Sequence, residues 1–192
     1  MNRSLLKKYA RLVARVGANV GGGDNVLINS SLEGVDLARL ICEECYRLGA
    51  RKVHVNYNDR TVSRLKMLNE DVETLTDIPS FVADMKNSFT DPDCVVIQIL
   101  SDDPHLYDGV EPRKLAEYSR AADRAFKRYY DCAMTNKIRW TLCAVPCRAW
   151  AKTVFPDDTP SVAESKLWGL IVKTMRLDKR DAIAAWEEHC SN

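Results

Sequence analysis

Hydrolytic metal chemistry in zinc peptidases calls for two histidines four residues apart on a helix, with a glutamate beside them. The chain carries His54, His105 and His189, and none of the three is paired in that way. Glu187, Glu188 and His189 are consecutive, but successive helical residues point about 100° apart and cannot converge on one ion. They read as a solvated helix end. Seven cysteines are an odd number for a disulfide framework, and the absence of a secretory signal adds to the expectation of reduced thiols. Cys42 and Cys45 share the apolar face of an expected helix, whereas a redox pair would sit at a helix start after a strand. Cys143 and Cys147 straddle Pro146 at a strand exit, and no second close pair completes a tetrahedral zinc set. Both pairs therefore read as packing. Gly-x-Ser-x-Gly is absent, and no Ser, Cys or His lies in a triad motif. The glycines between Gly17 and Asn25 precede the first expected strand, whereas dinucleotide and P-loop fingerprints follow a strand and open a helix. A structural turn is the expectation. No catalytic, cofactor-binding or metal-binding residue is assigned within this chain.

The surrounding composition bounds what these residues could serve. With 192 residues, 46% hydrophobic and 29% charged, the chain is read as one α/β domain, 1–192, that buries a sizeable core. The 28 Lys and Arg nearly cancel the 27 Asp and Glu, so there is no basic field of the kind that draws proteins to nucleic acid or anionic lipid. Met1 to Gly17 reads as a charged amphipathic helix without a signal peptide's apolar core, and no run is long enough to span a membrane. A cytoplasmic location is the default expectation.

Leu5, Leu6, Tyr9, Leu12, Val13 and Val16 recur at helical spacing before Gly17. Asn25 to Asn29 is a short β-branched run, and Leu37, Ala38, Ile41, Cys42, Cys45 and Leu48 form a helical stripe closed by Gly49. Lys52 to Tyr57 then reads as a second strand. A strand, a helix and a strand within about thirty residues form a βαβ unit, so the sheet is at least partly parallel. Thr61 to Met67 and Ser80 to Asn87 read as helices. Cys94 to Leu100 reads as an uninterrupted apolar strand for the centre of a covered sheet. Pro112 opens a helix expected to run to about Asp131, and Ile138 to Val145 is a fourth strand. The fold expected is α/β, a mostly parallel sheet of about four to five strands with helices on both faces and a helical C-terminal segment.

That segment comprises Ala149 to Val154, Val162 to Met175 and Ala182 to His189. The middle helix is apolar almost all round, which normally means burial on two sides. Part of its surface is expected to await a further domain or subunit. Open α/β sheets bind ligands beyond the carboxyl ends of their strands. Here that points to Ser30, Ser31, Asn56, Asn58, Asp59 and Ser101 to Asp103, all residue types that also cap helices and build turns.

In order along the chain stand KYARLVARVGA (Lys8–Ala18), NVLIN (Asn25–Asn29), LGARKVHVN (Leu48–Asn56), WTLCAVPCRAWAKTVFP (Trp140–Pro156), KLW (Lys166–Trp168) and AAWEEH (Ala184–His189). Together they resemble the N-terminal region of the thermophilic-type metallo-aminopeptidases, the family of aminopeptidases T and S. The resemblance covers essentially the whole chain. It implies a two-domain cytosolic homodimer that removes N-terminal residues from peptides with two divalent ions, such as zinc, cobalt or manganese. It also implies that the metal ligands belong to a C-terminal domain absent from this chain, so the isolated chain is expected to be inactive. The alternative is a stand-alone, non-catalytic α/β binding or interaction module.

Overall fold

Four short strands, the two central ones rich in β-branched and apolar residues, form the sheet in the computed structural model, which describes residues 1–191. They are β1 (Asn25–Ser31), β2 (Lys52–Asn58), β3 (Cys94–Leu100) and β4 (Arg139–Ala144). The order is β2-β1-β3-β4 and every neighbouring pair is parallel. Helix α1 (Arg3–Leu12) precedes β1, and α2 (Val35–Arg47) crosses from β1 to β2. Between β2 and β3 lie α3 (Arg60–Asn69), α4 (Val72–Thr76) and α5 (Ser80–Asn87). Between β3 and β4 lie α6 (Pro112–Ala125) and α7 (Lys127–Met134). After β4 come α8 (Arg148–Val154), α9 (Pro160–Thr174) and α10 (Ala182–Ser191).

Because side chains alternate along a strand, the two faces have different fates. Val26 and Ile28 of β1, Val95, Ile97 and Ile99 of β3 and Cys143 of β4 face a deep core shared with Tyr9, Leu12, Leu37 and Ile41. Each such fully buried aliphatic side chain contributes about 1.5–3 kcal/mol. The C-terminal segment joins the same core through Ile171, Leu177 and Ala182. Two polar ties fix this layer. The Tyr9 hydroxyl donates to the Ala144 carbonyl at 3.1 Å and accepts the Ala144 N–H at 3.0 Å. The Lys8 ammonium donates to the Leu177 carbonyl at 2.9 Å and also to that of Lys179.

The second face is covered only towards the amino ends of the strands. There Leu27, Cys94, Val96 and Ile138 pack against Phe89, Tyr129, Cys132 and Ala133. Further along, the helices form a satellite cluster of Met67, Leu75 and Val110 with Leu115, and a cleft opens between that cluster and the sheet.

Three departures from the sequence reading have local causes. The helix expected from Pro112 to about Asp131 is broken at Phe126 (φ −102°, ψ 14°). The Asn87 side chain sits at the break, donating to the Ala125 carbonyl at 2.9 Å and accepting the Tyr129 N–H at 3.2 Å. The short α4, absent from the sequence reading, starts where the Asp71 carboxylate accepts the Thr74 N–H at 2.8 Å. Gln98 interrupts the apolar run of β3, which is therefore not covered by hydrophobic residues throughout. Helix α9 buries Ala163, Leu167 and Ile171, while Val162 and Leu170 remain 45% and 46% exposed, so within this chain it is covered on one side.

Candidate functional site

The strand order reverses direction between β1 and β3, since β1 leads outward to β2 while β3 leads to β4 on the other side. At such a switch point the loops diverge and leave a crevice at the carboxyl ends. The cleft there occupies about 750 Å³. Its floor is a polar row across the open face, because register places Asn29 opposite both Asn56 and Gln98. The Asn56 amide donates to Asn29 Oδ1 at 3.2 Å. Among the described residues the Gln98 side chain and Asn29 Nδ2 have no hydrogen-bond partner.

One wall is aromatic. Trp140 of β4 donates its indole N–H to the Ala133 carbonyl at 3.1 Å. Lys86 Nζ lies 4.3 Å from the ring centre of Phe126, 4.9 Å from Tyr129 and 4.5 Å from Tyr130, a cation–π arrangement. Burial pushes the Tyr129 phenol up from its ordinary pKa, so it is a neutral surface for contact. Arg60, Lys66 and Lys86 line the cleft, and among the described residues no Asp or Glu does. In a chain whose net charge is only +1, that asymmetry gives the cleft a local positive field.

At the carboxyl ends, Ser31 and Ser101 are 3% and 2% exposed, and neither buried hydroxyl has a partner. Arg60 Nε is likewise buried without one, while its Nη2 pairs with Asp102. Arg64 Nη2 donates to the Asp108 carbonyl at 2.7 Å, so two arginines of α3 clamp the loop that follows β3. Behind Ser31 the chain turns tightly: a Cβ at Gly34 would fall onto Ser30 Oγ and lie 3.0 Å from Ile99 Cγ2. That close approach requires glycine.

Of the residues singled out from sequence, Ser30, Ser31, Asn56 and Asn58 line the cleft. Asp59 instead caps α3, accepting the Thr61 N–H at 2.8 Å. Asp103 closes a turn through the His105 N–H at 2.9 Å, and Asp102 pairs with Arg60. Sequence reasoning missed Asn29, Gln98 and Arg60. The available signal was an amide side chain at the middle of each of two apolar strands.

The other candidates lie elsewhere. The glycine loop sits at the opposite end of the sheet, held by Asp24, whose carboxylate accepts the Gly21 N–H at 2.7 Å and pairs with Arg139 at 2.6 Å. Cys45 and Cys143 are buried, and burial pushes both thiols up to about 12, which removes them from thiolate chemistry near neutrality. The Cys147 sulfur caps α8 at the Trp150 N–H, 3.4 Å away. Glu187, Glu188 and His189 are exposed. Among the described residues no three His, Cys, Asp or Glu side chains are grouped to hold a metal ion, so the residues present do not fit a metal centre.

The motifs quoted above now have structural roles. Lys152 of AWAKTVFP donates to the carbonyls of Pro156 and Asp158, the latter at 2.7 Å, and Lys166 of KLW pairs with the Asp158 carboxylate at 2.6 Å. Comparison with known proteins gives a consistent picture. The family described as thermophilic metalloprotease (M29) matches residues 2–192. Aminopeptidase PepS of Streptococcus thermophilus is 32% identical over 185 residues, covering 96% of this chain and 45% of its own length. Aminopeptidase 2 of Geobacillus stearothermophilus is 32% identical over 184 residues, with the same two coverages. The solved structure of wild-type AmpT from Thermus thermophilus aligns with a TM-score of 0.85 at 29% identity, covering 97% of this chain and 45% of that one. The chain thus spans just under half the length of the relatives it matches.

Proposed function

The chain belongs to the thermophilic metalloprotease (M29) family, and from that premise we propose that it serves as the amino-terminal α/β domain of a two-domain, metal-dependent aminopeptidase. The observation that carries this reading is the pair of coverages, 96% of this chain against 45% of Aminopeptidase PepS. The domain would act on peptides within a cytoplasmic homodimer whose remaining half holds two divalent ions, zinc, cobalt or manganese. Among the described residues no three His, Cys, Asp or Glu side chains are grouped to hold a metal. No step of hydrolysis is therefore assigned to them. Their part would be to supply a wall of the substrate chamber.

The test is release of leucine from a leucyl anilide, with added cobalt or zinc and with a chelator as control. The 192-residue chain alone should show no metal-dependent turnover. Put in place of the matching residues of Aminopeptidase PepS, it should support chelator-sensitive turnover. Robust turnover by the chain alone, abolished by chelator, would overturn the assignment. The stand-alone binding module remains the second reading because of one feature, the polar, cation-lined cleft at the strand ends.

A further inference from the structure

We infer that this cleft is a binding site for a short peptide with a free C-terminal carboxylate, read by Arg60 and Ser31 at one end and by the side-chain amides of Asn29 and Gln98 along its floor. A buried hydroxyl without a partner costs about 1–3 kcal/mol, and native structures keep few of them. Here two unpartnered buried atoms, Ser31 Oγ and Arg60 Nε, belong to residues that line the cleft. Both can donate. With Arg60, Lys66 and Lys86 as its charged lining, the cleft selects an anion. Asp102 already offsets part of the Arg60 charge, which suits a carboxylate better than a dianionic phosphate.

The floor specifies what is attached to that carboxylate. A primary amide side chain offers donor and acceptor together, and so can pair with the N–H and C=O that a single residue of an extended peptide directs to the same side. Asn29 and Gln98 stand opposite one another in register, two residues before Ser31. At about 3.3 Å per residue that is roughly 7 Å, the span of two extended peptide units. A carboxylate at Ser31 therefore places the amide two residues upstream over the row. The volume of about 750 Å³ lies in the range of small-ligand pockets, about 300–1,000 Å³, and the Trp140 and Tyr129 side chains face the ligand's own. The choice of a peptide over another amide-bearing acid rests on the family reading above.

The site can be tested on the 192-residue chain in the presence of chelator, by calorimetry and backbone amide NMR with trialanine and its C-terminal amide as probes. Trialanine should bind saturably and shift the signals of Asn29, Gln98 and Arg60. The C-terminal amide should bind at least tenfold more weakly. Gln98→Leu and the nearly isosteric Ser31→Ala should each weaken trialanine at least threefold without lowering Tm. Absence of saturable binding, equal binding of acid and amide, or indifference to both substitutions would each overturn the proposal. Chelator keeps the result separate from catalysis. Binding without turnover in the chimera would remove the peptidase reading and keep the site, and turnover without binding would do the reverse.

Discussion

Glu44 of α2 is only 9% exposed, and its carboxylate accepts hydrogen bonds from Arg15 at 2.9 Å and Arg47 at 2.8 Å. Burial alone would raise its pKa, but the hydrogen bonds from Arg47 and Arg15 outweigh burial and hold it below the ordinary carboxylate value. A folded pKa below the unfolded one, about 4.3, means that the unfolded chain takes the proton first as pH falls. The stabilisation is therefore complete above that value and is lost as pH drops through the folded one. Glu44→Gln should cost about 1–3 kcal/mol at pH 7, with the gap in Tm closing in acid. Parallel Tm profiles across that range would sink this account. The thiols give a second check at the same scale. A disulfide reagent at pH 8 should label exposed Cys190 quickly, whereas Cys45 and Cys143, buried and pushed up to about 12, should react only after unfolding. The packing role of Cys45 was legible in its helical spacing. That of Glu44 was not, because one of the arginines that pair with it, Arg15, arrives from the π-helical turn after α1, 29 residues away.

Elements were legible wherever local pattern decided them, and illegible where a distant side chain did. The span of β3 and that of α5 agree with the sequence reading because their boundaries are set by their own residues. The break between α6 and α7 depends on Asn87, nearly forty residues before it, so no local signal announces it. Asn87→Ala leaves the Ala125 carbonyl and the Tyr129 N–H without that partner and should cost about 1–3 kcal/mol in urea unfolding. A change below a few tenths would show that the break is intrinsic to the helix. The cleft was half legible. Its serines and asparagines stand at readable strand ends, but the Asn29–Gln98 row exists only through cross-strand register. Gly34→Ala should cost about 1–3 kcal/mol by overpacking, since the new methyl meets Ser30 and Ile99. Gly49, at φ +92° and with its Cβ position 3.3 Å from the Gly22 backbone, should resist alanine for a different reason, the conformation itself.

For the molecule as a whole, the outer face of α9 separates the two functional readings. Leu170 is 46% exposed, so Leu170→Ser should change the stability of this chain by no more than about 0.5 kcal/mol. If the rest of an aminopeptidase covers that face, the same substitution in the chimera should cost about 2–5 kcal/mol, and equal small effects in both would argue against such cover. The ties between α1 and the C-terminal segment carry a different kind of consequence. Lys8 is held by the carbonyls of Leu177 and Lys179, and Tyr9 by Ala144, so α1 docks against partners 169 and 135 residues further along, made long after it. At roughly 5–20 residues per second, the 169 residues from Lys8 to Leu177 correspond to roughly ten to thirty seconds of translation. Throughout that interval the apolar face of α1 has no finished core to enter, which makes the nascent chain a natural client for whatever shields hydrophobic helices at the tunnel exit.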